Sequence, residues 1–224
     1  MKFLREAALV AGKDLRIERR SRVALAQILP FGAIVVVMFA FALDADRTSL
    51  PAAAPGLFWT AVLLAALLAI SRSFSVEEAN GARDGLRMSG LDAGAIFVGK
   101  AVAIATELFL LEVVLGAAVI ALYGVTVRGA VVLVIAAVAA TVGLAATGTV
   151  YGVLATGLRA RDTLVPLLVL PAVTPVMLGA SQAFAAALDG KNTDAWPWVQ
   201  LLIAFSVLVV AGGTMAFGPL LEEA

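Results

Sequence analysis

The chain of 224 residues contains no cysteine and no histidine. The first absence removes disulfides, thiolate metal centres and thiol nucleophiles. The second removes the commonest metal ligand and the side chain that carries protons near neutral pH. Catalytic triads, Cys–His pairs and ordinary zinc sites are therefore excluded, and a haem iron held by this chain would have to use Met, Tyr, Asp or Glu. A serine nucleophile would need a lysine or aspartate partner in a pocket that the sequence does not mark. Charge is scarce too. Asp, Glu, Lys and Arg make up 14% of the residues, against about a quarter in soluble domains. Apolar residues take their place, at 62% of the chain with a mean hydropathy of +1.03. The composition is that of a membrane protein, a conduit or coupling element rather than an enzyme.

Six apolar runs, over 23–43, 56–71, 98–122, 129–157, 163–188 and 198–220, suit a hydrocarbon core of roughly 30 Å. The run over 56–71 is short unless 50–55 joins it. An all-α fold of six spans with both termini cytoplasmic places 1–22, 71–100, 158–162 and the C-terminal tail inside. Those segments carry thirteen Lys and Arg, while the outer ones carry only Arg47, Arg128 and Lys191. This is the positive-inside bias, and an odd number of spans would scramble it. Trp59, Trp196, Trp198 and Tyr123 fall near outer ends, where interfacial aromatics gather. The first 22 residues are too charged, and the run after them too long, for a cleaved leader. The chain thus divides into an interfacial segment, 1–22, and a transmembrane domain, 23–224.

Residues 2–20 are too polar to insert. Leu4, Ala7, Ala8, Ala11 and Leu15 recur at helical spacing among Lys2, Arg5, Glu6, Lys13, Arg16, Arg19 and Arg20. The pattern predicts an amphipathic helix on the inner membrane surface, its basic residues toward anionic headgroups. The plainer alternative is a basic tail that only sets topology.

Residues 71–100 form the long polar interruption between spans, holding Arg72, Glu77, Glu78, Arg83, Asp84, Arg87, Asp92 and Lys100. A helix start over 74–78, a break at Asn80 and Gly81, and a second helical stretch over 83–88 are expected. Gly90 then ends that turn and Asp92 caps the helix that follows. Leu86, Met88 and Leu91 are apolar anchors amid charge. They suit docking into a groove on a cytosolic partner, and equally a solvated connector. One motif here is a decoy: 94–101 nearly spells the P-loop G-x-x-x-x-G-K-[ST]. Ala101 replaces the Mg²⁺-binding hydroxyl and no strand precedes the segment, so nucleotide binding is excluded. Lys100 is expected instead to snorkel to the inner headgroups.

Three features lie within the spans. Gly143, Gly148, Gly152 and Gly157 permit close helix approach, and the Gly148–Gly152 spacing fits either intrachain packing or a homodimer seam. Pro166, Pro171 and Pro175 each remove an intrahelical hydrogen bond. They predict a kinked or re-entrant segment facing the bundle interior, as a hinge or part of a path. Glu107 and Glu112 are carboxylates at a depth where a charge costs about 2.5–3.5 kcal/mol. They stand about 140° apart around the helix and so are not a pair. Glu107 is placed nearer mid-membrane, with a hydrogen bond across helices and a proton relay or pathway wall both open.

Six spans, a basic amphipathic N-terminal helix, the acidic loop Glu77-Glu78-Ala-Asn-Gly81-Ala-Arg-Asp84-Gly85-Leu86 and a Gly-Lys entering the third span together resemble the permease of type-II ABC exporters. The stretch LRARDTLVPLLVLPAVTPVMLGASQA over 158–183, with Leu170-Pro171 and Pro175-Val176, resembles more specifically the CcmB family, the haem-exporter permease of cytochrome c maturation. Length and motif order extend the likeness over nearly the whole chain.

The resemblance implies a coupling helix between the second and third spans that contacts an ATPase, here through Glu77, Glu78, Asp84, Gly85, Leu86, Arg87, Met88 and Gly90. It implies a homodimer with two copies of a separate cytosolic ABC ATPase subunit, beside haem-handling membrane proteins in the inner membrane of a bacterium. Haem is then the ligand handled, ATP is bound by the partner, and this chain holds no cofactor tightly. Lipid is a partner and nucleic acid is not. The missing axial ligands favour ATP-driven release of a haem-loaded chaperone over passage of haem itself. Two alternatives stand beside this reading: a permease of the same architecture exporting a lipid or drug, and a proton-coupled secondary transporter using Glu107.

Overall fold

The computed structural model describes residues 2–21, 24–43, 49–79, 90–155 and 161–223, all helix apart from short turns, with no strand among them. Helix α1 spans Lys2–Ser21, and a π-helical turn at Ala24–Ile28 leads into α2, Leu29–Leu43. Then follow α3 (Ser49–Ala79), α4 (Ala93–Tyr123), α5 (Ala130–Leu154), α6 (Arg161–Leu188) and α7 (Asn192–Glu223). The six helices after α1 hold segments long and apolar enough to cross a membrane, the first being Ala26–Leu43.

Residues 50–55 do join the second span, so it is not short. Its apolar segment is Leu50–Ser75, inside a helix of 31 residues. Pro51 sits in the first turn, where its missing N–H has no intrahelical partner to lose. Helix α4 also has 31 residues, which makes α3 and α4 each roughly 46 Å long at 1.5 Å per residue. Each outruns a hydrocarbon core of about 30 Å. The end of α3 and the start of α4 carry Arg72, Glu77, Glu78 and Lys100, and this is the end of the bundle against which α1 packs.

Helix α5 threads the middle of the bundle between α3, α6 and α7 because its residues are small. Gly148 backs onto Ile70 and Gly152 onto the Phe74 ring, and a methyl group at either position would run into that side chain. Gly143 lies against Ser206 and Phe205 of α7. The Ser206 hydroxyl donates to the Ala139 carbonyl of α5 at 2.6 Å. All of these partners belong to the same chain.

At the opposite end the aromatic residues behave differently from the expectation. Trp59 is fully buried, with its ring centroid 5.4 Å from Phe58 and 5.1 Å from Phe184. Tyr123 is buried as well, and its hydroxyl donates to the Val36 carbonyl of α2 at 2.8 Å. Both tie helices together near the end of the bundle rather than anchor it in headgroups; Trp196 is exposed.

Helix α6 is not re-entrant and, against expectation, Pro171 and Pro175 do not face the bundle interior. It runs unbroken from Arg161 to Leu188 through Pro166, Pro171 and Pro175. Pro171 and Pro175 point outward from the single chain, while Val169, Val173, Val176, Ala180 and Ala183 fill the inner face. Four residues apart, these two prolines share one side of the helix. Their backbone defects therefore fall where, among the described residues, no neighbouring helix packs, and the inner face keeps an ordinary aliphatic surface.

Candidate functional site

The charged residues gather where α1 meets α3 and α4. Helix α1 does not stand apart from the bundle. It lies along the first turns of α4 with Glu6, Ala7, Val10 and Ala11 buried, whereas Leu4 and Leu9 are exposed. The contact is close because Gly99 has no side chain: a Cβ there would meet the Ala7 carbonyl and the Val10 side chain. The buried stripe is thus rotated from the one expected, with Glu6 inside and Leu4 outside.

Three acidic residues of α1 grip the two helices that flank residues 80–89. Glu6 Oε2 accepts from the Asp92 backbone N–H at 3.1 Å. Asp92 in turn caps α4, its carboxylate accepting from the Ala95 N–H at 3.0 Å. Two turns of α4 further on, Lys100 Nζ lies 3.8 Å from Asp14 Oδ2 and 4.7 Å from the centre of the Phe74 ring. Lys100 therefore does not snorkel to the surface. It is 3% exposed, and α1 covers it. On α3, Arg72 Nε stands 4.0 Å from Glu18 Oε2.

Glu107 belongs to this group. It lines a small cavity of about 30 Å³ together with Asp14, Glu18, Arg72, Ser73 and Ile104. A volume of that size suits one or two waters among polar walls. Glu107 is thus accompanied, and Arg72 of α3 is the cation beside it.

Glu112, one turn and a half further along α4, faces a different neighbour. It is buried against α5, with Oε1 2.6 Å from Thr141 Oγ1. Thr141 Oγ1 also lies 2.7 Å from the Ala137 carbonyl. A hydroxyl has one hydrogen to donate. Both contacts are hydrogen bonds together when a neutral Glu112 donates to Thr141 and Thr141 donates to Ala137. Such a chain removes the cost of a buried charge at this depth.

The remaining residues singled out in the sequence are scattered. Glu77 and Glu78 lie in the last turn of α3, with their side chains outside the described residues. Asp84, Gly85, Leu86, Arg87 and Met88 lie outside the described residues altogether. Gly90 is a turn residue at φ +66°, a left-handed conformation that glycine adopts without strain. The motif over 94–101 is continuous helix, Gly94 being packed against Thr214 of α7, and forms no phosphate-cradling loop. Pro166, Pro171 and Pro175 are on α6, Gly148 and Gly152 in the α3–α5 seam, and none of these joins the charged cluster.

Sequence reasoning set Glu6 among the polar residues of α1 without a partner, and passed over Asp14, Glu18 and Thr141. Glu6, Asp14 and Glu18 carried a signal: in an otherwise basic segment, the acidic residues fall four or eight apart on one flank of the helix. Their partners Arg72, Asp92 and Lys100 are more than fifty residues away, and no local pattern points to them.

The family model for the CcmB protein matches residues 5–223. Relatives named heme exporter protein B are similar along most of their length. The one from Pseudomonas aeruginosa is 29% identical over 211 residues, covering 89% of this chain and 90% of the relative. The one from Haemophilus influenzae is 30% identical over 206 residues, 91% of this chain and 90% of the relative. The one from Bradyrhizobium diazoefficiens is 30% identical over 207 residues, 91% of each. Six apolar spans and these relatives together make the chain a multi-pass membrane protein.

Proposed function

The chain belongs to the CcmB family, and from that premise we propose that it is the permease subunit of an ABC transporter serving haem export or delivery in c-type cytochrome biogenesis. The reading is carried by the match over 5–223, nearly end to end, with relatives named as heme exporters. The chain works as a second copy paired with itself in the inner membrane of a bacterium, with ATP hydrolysed by a separate cytosolic subunit. The α1 end is cytoplasmic, in line with the thirteen Lys and Arg on that side.

In this reading the ATPase grips residues 77–90, from Glu77 and Glu78 through Asp84, Gly85, Leu86, Arg87 and Met88 to Gly90. The α1 contacts support it mechanically. Glu6, Asp14 and Glu18 tie α1 to Asp92, Lys100 and Arg72 on both flanks of that segment. A push on the segment reaches α3 and α4 together instead of bending one of them. The second copy is assigned to the outward face of α6, where Pro171, Thr174, Pro175 and Gln182 are exposed. Freed backbone carbonyls there need partners that lipid cannot provide. Haem-handling membrane proteins complete the assembly, with haem as the cargo.

Affinity purification of the tagged chain from native membranes tests the reading. An ABC ATPase subunit and a haem-loaded membrane protein are expected to copurify. A complex with an ATPase but no haem, from cells making c-type cytochromes, would favour a lipid or drug exporter of the same architecture instead.

A further inference from the structure

We propose that the cleft between α1 and α4 is a binding site for one anionic phospholipid of the leaflet at the α1 end. Two adjoining surfaces define it. The first is a cleft of about 880 Å³ whose walls are largely aliphatic, including Leu15 of α1, Ile28, and Leu111 and Val114 of α4. Leu110, Val113 and Val114 are exposed, so the cleft opens sideways along α4. The second is a basic depression of about 470 Å³ on α1, lined by Lys13, Arg16, Arg19 and Arg20 with Leu9 and Ile17. Arg19 lines both. A ligand that fills the two must be negatively charged at one end and aliphatic at the other, and must join the two at Arg19.

The carboxylates in reach do not oppose this. Glu18 and Glu107 line the cleft, but Glu18 is turned toward Arg72, and Arg72 shares the small inner cavity with both of them. Asp14 is held between Lys13 and Lys100. Arg16, Arg19 and Arg20 are exposed on the other flank of α1. The phosphate therefore sits on Arg16 and Arg19, and one acyl chain runs from Arg19 along Leu111 to Val114. Basic pockets beside membrane helices hold anionic headgroups in this manner. A lipid so bound wedges α1 against α4, the helix that follows the coupling segment.

The full chain, purified in mild detergent, delipidated and placed in nanodiscs of phosphatidylglycerol or phosphatidylcholine, provides the test. Native mass spectrometry counts retained lipid, and a thermal melt reads stability. Wild type is expected to retain one phosphatidylglycerol per chain and to melt higher in phosphatidylglycerol than in phosphatidylcholine. Arg16→Gln with Arg19→Gln should lower retention by about fivefold for each arginine removed. Val114→Trp, which fills the cleft and leaves every charge in place, should also lower it. Equal retention of the two lipids, or unchanged retention in either variant, would reduce the lipid to an annular one and overturn the site. Stabilisation by millimolar inorganic phosphate equal to that by phosphatidylglycerol would overturn it too, since the acyl chain would then contribute nothing.

Discussion

Lys100 Nζ lies 3.8 Å from Asp14 Oδ2 with the two side chains 3% and 11% exposed, so a single buried cation joins α4 to α1. The same ammonium stands over the Phe74 ring of α3. Three helices thus meet at one charge. Asp14→Asn and Lys100→Met are each expected to lower the melting temperature of the purified chain. In a double-mutant cycle the pair should depart from additivity by about 1 kcal/mol or more. Additive losses would show that Asp14 is held by Lys13 alone, 3.0 Å away.

Gly152 sits under the Phe74 ring with no room for a larger residue. Gly152→Leu is expected to cost about 1–3 kcal/mol through overpacking, read as a lower melting temperature and reduced yield from membranes. Phe74→Ala added to Gly152→Leu should recover part of the loss. A Gly152→Leu chain as stable as wild type would contradict the close α3–α5 seam.

Glu112 and Thr141 form a buried pair between α4 and α5. Glu112→Gln leaves a group that can still meet Thr141, and it should keep stability within about 1 kcal/mol and leave cytochrome c maturation intact in complementation. Glu112→Lys should block accumulation of the folded chain, because it buries a charge with no counter-ion beside it. A well-folded Glu112→Gln chain that fails to complement would give this carboxyl a role in transport.

The absence of cysteine makes topology simple to read, since any single cysteine introduced is the only thiol. Thr126→Cys, in the turn between α4 and α5, should react with a membrane-impermeant maleimide in cells with opened outer membranes. Ala82→Cys, between α3 and α4, should react only after lysis. Labelling in the reverse pattern would invert the orientation.

The six spans were legible because hydropathy over twenty residues is a local property, and charge asymmetry between loops needs no tertiary knowledge. The Asp92 cap was legible for the same reason: its partner, Ala95, is three residues away. What escaped was set by distance along the chain. Lys100 looks like an interfacial lysine until α1 is seen to cover it, and Trp59 looks like a headgroup anchor until Phe58 and Phe184 surround it. The α6 prolines suggested a kinked or re-entrant segment facing inward because propensity says where a bond is missing but not which side faces the bundle. Glu107 could be given no partner from the sequence because Arg72 lies on another helix, thirty-five residues earlier.

The central claim is that the segment between α3 and α4 is where an ATPase takes hold. Copurification of the ATPase with a Glu78→Lys, Asp84→Lys chain tests it most directly, beside a melt of the same preparation. The account predicts that the ATPase is lost while the melting temperature of the permease stays at the wild-type value. An ATPase retained at wild-type stoichiometry, with ATP-dependent haem delivery intact, would contradict it.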